Sequence, residues 1–114
     1  MWRDAAWLFD ILKACRKICE YISDIEKDIF VEDIMRQDAV IRQMEIIGEA
    51  TKRLSEKIRK QSSEIPWSNM ARLGDKLIHG YDNLDIEIIW SISKEDIPNL
   101  IPQIESLLDS IKDK

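Results

Sequence analysis

An all-α fold, an up-and-down bundle of about five helices built on a long antiparallel pair, is predicted by three observations. Apolar residues recur at three- and four-residue intervals over long stretches, as they do along one side of a helix. No run alternates polar and apolar residues as a half-buried strand would. The chain of 114 residues holds only three glycines and three prolines, while hydrophobic residues make up 45% and charged residues 34%, the balance of a packed helical domain. The length suits one domain over residues 1–114 with a single modest core.

The first helix is expected from Trp2 to about Ile25. Ala5, Leu8, Leu12, Cys15, Cys19 and Ile22 form one stripe, and Ile11, Ile18 and Ile25 a second, so this helix has more than one neighbour and sits centrally or at a subunit interface. A second helix is expected from about Val31 to Leu54, with Val40, Met44, Ile47 and Leu54 inward and Gly48 and Ala50 permitting close approach. The short connection near Asp28 to Phe30 makes the two an antiparallel hairpin. Glu56 to Glu64, polar and followed by Pro66, reads as the main loop. A third helix from Ser68 to His79 buries Met70, Leu73 and Leu77, with Pro66 in its first turn and Trp67 as its anchor. Asp85 reads as the N-cap of a short helix Ile86 to Ile92 with Ile88, Ile89 and Trp90 buried. Ser93 and Asp96 resemble a capping box that opens the last helix, whose regular part is expected from Ile101 or later to Ile111 because Pro102 does not fit a helix interior.

The formal net charge of −5 argues against a broad nucleic-acid surface, so any RNA contact must come from a local basic patch. Cys15 and Cys19, four apart on a helix, read as free thiols of a reducing compartment; with one histidine they match no zinc pattern, and neither a metal nor a cofactor is expected. Arg3, Asp4 and Asp10 interrupt the N-terminal apolar run, and no apolar stretch of about 18 residues is present, so a cytoplasmic protein without a membrane contact is expected.

Chemistry concentrates in IPWSNMARLGDKLIHGYDNLD, Ile65 to Asp85, which holds the only histidine. Arg72, Lys76 and His79 recur at four and three on a face of the third helix away from its apolar stripe. Arg72 and His79, two turns apart, project in nearly the same direction. Asp75, four before His79, could orient the imidazole or raise its pKa. Gly80, Asp82 and Asn83 are turn residues, which puts His79 near a helix C-terminus, where a protonated imidazole is favoured. Cleaving RNA without a metal needs a base for the ribose 2′-hydroxyl and an acid for the leaving 5′-oxygen, and one chain has one histidine. A two-fold dimer supplies two, and doubles the basic patch of Arg72 and Lys76 that an RNA would meet. The plainer alternative is a non-catalytic helical dimerisation and interaction module. Nucleotide binding comes last, since the chain has no glycine-rich phosphate loop.

KLIHGYDNLD, preceded by IPW and followed by IEIIW, resembles the HEPN superfamily, and within it the HepT-like ribonuclease toxins. DAVIRQMEIIGEATKRLS, Asp38 to Ser55, is similar to the second long helix of that family, so the resemblance covers most of the chain. It implies a homodimeric, metal-independent endoribonuclease acting on tRNA or mRNA at a dimer cleft, with an Arg and a His of the motif as catalytic residues. It further implies the toxin of a type VII-like toxin-antitoxin pair, silenced when a minimal nucleotidyltransferase antitoxin transfers AMP from ATP to the motif tyrosine, which by position is Tyr81. In the HepT pattern the arginine stands five residues before the histidine, where this chain has Gly74; with six intervening residues Arg72 fills the role. Three readings of Gly74 stay open: the arginine is lost and Arg72 replaces it, Gly74 stands for an arginine in a disabled variant, or Gly74 serves close helix packing.

Overall fold

Two helices whose backbones touch set the frame. A computed structural model describes residues 2–80 and 84–112. Among them are α1 (Trp2–Ile22), α2 (Lys27–Phe30), α3 (Ile34–Arg53), α4 (Glu56–Gln61), α5 (Trp67–His79), α6 (Ile86–Ser91) and α7 (Ile97–Lys112), with a π-helical segment, Ile92–Asp96, joining α6 to α7. No strand occurs among the described residues. Helix α3 packs against α1 on one side and α5 on the other, while α1 also packs on α7, so α1 and α3 are the central antiparallel pair. Both predicted stripes of α1 are used: Leu8, Ile11, Leu12, Cys15, Ile18 and Ile22 are all buried.

The connection within the hairpin is longer than the sequence reading expects, because both helices stop short of it. Helix α1 stops at Ile22, and α3 starts at Ile34 because Asp33 caps it, its side chain accepting from the Arg36 backbone N–H at 3.0 Å. Between them Lys27–Phe30 forms its own single turn, with Phe30 buried against Trp90 at a ring separation of 5.3 Å. The Arg36 guanidinium then ties the turn together, donating to the Tyr21 carbonyl at 2.6 Å, to Asp24 at 2.8 Å and to Asp33 at 3.2 Å.

Glu56 to Glu64 is not simply a loop. Ser55 caps a helical turn and a half, accepting from the Ile58 N–H, and Ile58 is buried beneath it. Asp4, itself buried, holds Ser55 from α1, accepting from its backbone N–H at 2.8 Å and its hydroxyl at 2.7 Å. A polar sequence with one apolar residue hides this turn, because the capping bond and a contact from 51 residues away stabilise it.

The C-terminal third also departs from expectation. Asp85 does cap α6, accepting from the N–H groups of Glu87 and Ile88. Ser93, however, opens no new helix: it is buried inside a continuous one, and its hydroxyl donates to the Ile89 carbonyl one turn back. Pro102 likewise lies within α7. The π turn lies just before Pro98, and both prolines are on the exposed side of the helix. Ile88 is 55% exposed rather than buried. Cys15 and Cys19 are free; burial first, then the neighbouring Cys19, pushes the Cys15 thiol up to about 12, so it remains protonated as a small apolar core group.

The crossing of α3 and α5 is made by two glycines. A Cβ on Gly48 would stand 2.6 Å from the Gly74 Cα, and one on Gly74 would stand 2.8 Å from the Gly48 Cα. Both are backbone atoms, so the helices themselves must separate to admit a side chain. Gly74 falls in the buried line Met70, Gly74, Leu77, and its packing role is what the structure displays.

Two outcomes are expected. In an exposed helix, Gly to Ala stabilises by roughly 1 kcal/mol, but overpacking costs about 1–3 kcal/mol and should win here, so Gly74→Ala lowers unfolding stability and Gly74→Arg lowers it more, as denaturant melts will show. Asp33 is held below its usual carboxyl range, chiefly by the Arg36 backbone N–H and then by its guanidinium. The unfolded chain therefore binds the extra proton first, so this contribution is present above the ordinary value of 3.8 and is lost as pH falls through the lower folded value. Urea titrations across this window should show Asp33→Asn with a shallower loss of stability on acidification than the parent.

Candidate functional site on helix α5

Burial of Met70, Gly74 and Leu77 against α3 fixes the rotation of α5 and so decides which side chains it presents. Trp67 starts the helix from inside, buried and donating its indole N–H to the Ser62 carbonyl at 3.0 Å. Twelve residues later the helix ends at His79, with the Gly80 N–H closing the last turn on the Lys76 carbonyl at 2.8 Å. The outward line is then Asn69, Arg72, Lys76 and His79, all exposed. Arg72 is steadied by Asn69, to whose side-chain oxygen it donates at 3.0 Å. Seven residues of helix turn about 700°, so Arg72 and His79 diverge by only about 20° and are separated by about 10.5 Å along the axis.

Gly74 is not part of this face. Five residues before His79 a helix position points about 140° away from it, and in this chain that direction is occupied by α3. Asp75 is at the border, and its carboxylate accepts from Lys52 of α3 at 2.7 Å. Lys52 also pairs with Glu49 at 3.0 Å. These two carboxylates hold the Lys52 ammonium above its ordinary range, with Asp75 the larger influence and Glu49 the next. Tyr81, the expected AMP acceptor, lies outside the described residues, as do Asp82 and Asn83.

The other cations of α3 are spoken for. Arg36 is bound in the hairpin turn, Arg42 pairs with Glu45 at 3.4 Å, and the Arg53 guanidinium sits 5.1 Å from the Trp7 ring centre. Beside the Asn69 end of α5 a groove of about 460 Å³ opens between α3, α5 and α7, floored by Met44, Met70, Leu73 and Leu100. Asn69 was not singled out from sequence, although its three-residue spacing to Arg72 marks it. Lys52 reads from sequence as one of the cations along the second helix, but its pairing with Asp75 does not, because the two residues, 23 apart in the chain, meet only through the crossing of helices.

Comparison with known proteins gives this face a context. The model of the family described as Ribonuclease HepT-like matches residues 11–107. The protein named "Putative RNase MJ0127" of Methanocaldococcus jannaschii is 43% identical over 107 residues, 94% of this chain and 88% of that protein. "Probable ribonuclease HepT" of Thermococcus cleftensis is 44% identical over 101 residues, covering 89% and 92% respectively. "Putative RNase TTE0752" of Caldanaerobacter subterraneus is 37% identical over 106 residues, covering 93% and 95%. No solved structure matches the chain. With a family match over most of its length and relatives of nearly the same extent, the chain belongs to the HepT-like ribonuclease family.

Proposed function

We propose that the chain is a metal-independent endoribonuclease, the toxin of a toxin-antitoxin pair, working as a homodimer in the cytoplasm on tRNA or mRNA. The observation that carries this reading is the exposure of Arg72, Lys76 and His79 on one face of α5, opposite the buried side. Two copies facing each other across a two-fold axis bring two imidazoles to one phosphodiester. One His79 takes the proton from the ribose 2′-hydroxyl as its oxygen attacks phosphorus; the other gives a proton to the departing 5′-oxygen. The products are a 2′,3′-cyclic phosphate and a free 5′-hydroxyl, and the two histidines exchange protonation states. Arg72 stabilises the added negative charge on the five-coordinate phosphorus, and Lys76 holds the strand by its phosphates. Arg72 is assigned this role in place of position 74, since Arg72 shares the face with His79 and Gly74 is packed under α3. Family membership supports the ribonuclease class of this reading.

Control by a nucleotidyltransferase belongs to the same proposal. The Tyr81 oxygen attacks the α-phosphate of ATP and pyrophosphate leaves. The tyrosine then bears an AMP group, whose charge and bulk two residues from His79 repel and obstruct the RNA phosphate.

Incubating total tRNA with the chain in EDTA tests the assignment. The parent should cleave, His79→Ala should lose about 10²–10⁴-fold and Arg72→Ala about 10²–10³-fold, while Lys76→Ala should weaken binding with a reduced salt dependence. ATP with the cognate transferase should silence the parent but not Tyr81→Phe. Folded dimers of the parent that leave RNA intact would instead favour a helical interaction module.

A further inference from the structure

The cation that governs Asp75 stands on α3, one helix away from the motif. Lys52 Nζ lies 2.7 Å from the Asp75 carboxylate and 3.0 Å from that of Glu49, and all three side chains are a little under half exposed. Asp75 precedes His79 by four residues, the spacing at which an acid and a later cation meet on a helix surface. Left alone, Asp75 would be drawn to the imidazolium of His79. The ammonium of Lys52 competes for it from the neighbouring helix.

We propose that Lys52 is a positioning residue for the α5 site: it holds the Asp75 carboxylate toward α3 and so keeps it off His79, leaving that ring open to substrate. The role in catalysis rests on the ribonuclease reading above; the contact does not. The other charges around this region are accounted for. On α5 they are Arg72, engaged with Asn69, and Lys76, one turn before His79. On α3 they are Glu49, which shares Lys52, and Asp38 with the Arg42–Glu45 pair, which border Leu77 and Ile78 in one groove. Asp82 lies outside the described residues. Among these, only Asp75 combines a negative charge, helical spacing to His79 and a cation whose removal would release it.

The single histidine makes the test direct, because its ring protons are unambiguous in an NMR titration of the full chain. Removing Lys52 exposes His79 to a fuller negative charge, which favours the imidazolium, so the titration should move to higher pH. For an exposed pair at this spacing the rise is about 0.2–0.4 pH unit in Lys52→Met. Lys52→Arg should titrate like the parent, and Lys52→Met with Asp75→Asn should lose the rise. Cleavage of tRNA by Lys52→Met should show its bell-shaped pH profile displaced upward by the same amount, which a merely structural lysine would not cause. An unmoved titration in folded Lys52→Met, or a rise that persists with Asp75→Asn, would overturn the proposal. A titration that behaves as expected in proteins that never cleave RNA would uphold the contact and sink the ribonuclease reading instead.

Discussion

The contact between Gly48 and Gly74 is the constraint on which the rest depends. With no side chain on either helix at the crossing, α3 and α5 approach to backbone contact, and α5 has only one rotation that buries Met70 and Leu77 as well. The opposite side of α5 is then committed to solvent, and the residues there are Asn69, Arg72, Lys76 and His79. A packing requirement on one face thus orients a chemical face on the other. The same closeness lets Lys52 of α3 reach Asp75 of α5, so the crossing also determines the electrostatic surroundings of the motif.

An acidic chain of a ribonuclease family carries a surplus of carboxylates that a cationic face has to coexist with. Here several surface carboxylates, on α3, α4, α7 and the α1–α3 connection, face cations on their own or neighbouring elements: Glu105 with Arg16, Asp24 and Asp33 with Arg36, Glu45 with Arg42, Glu56 with Lys60. Such exposed pairs contribute little stability individually. Their effect is on the field: the charges pair locally, while the α5 stripe keeps two cations and an imidazole together on one open face. That arrangement leaves a local cationic face on a chain whose net charge is −5.

Much of the architecture was legible in the sequence because it rests on periodicity. The stripes of α1 and α3, the buried Met70 and Leu77, and the Asp85 cap all follow from spacing and residue type. What escaped was decided by contacts between distant segments. The α4 turn needs Asp4 to hold Ser55, and the uninterrupted helix through Ser93, Pro98 and Pro102 needs a π turn and an outward placement of both prolines. Gly74 is the instructive case. It lies four after Met70 and three before Leu77, inside the buried stripe, yet a motif comparison draws the eye to the arginine it lacks. Spacing alone marks it as a core position; only the pairing with Gly48 shows why no side chain fits.

The most direct test of the crossing is a double-mutant cycle in unfolding free energy, with Gly48→Ala, Gly74→Ala and the two together. If both glycines serve one contact, the first alanine forces the helices apart and the second enters space already opened. The pair should then cost less than the sum of the singles, by about 1 kcal/mol or more. Strict additivity would contradict the account, because the glycines would be acting at independent places and the rotation of α5 would have to be set by something else.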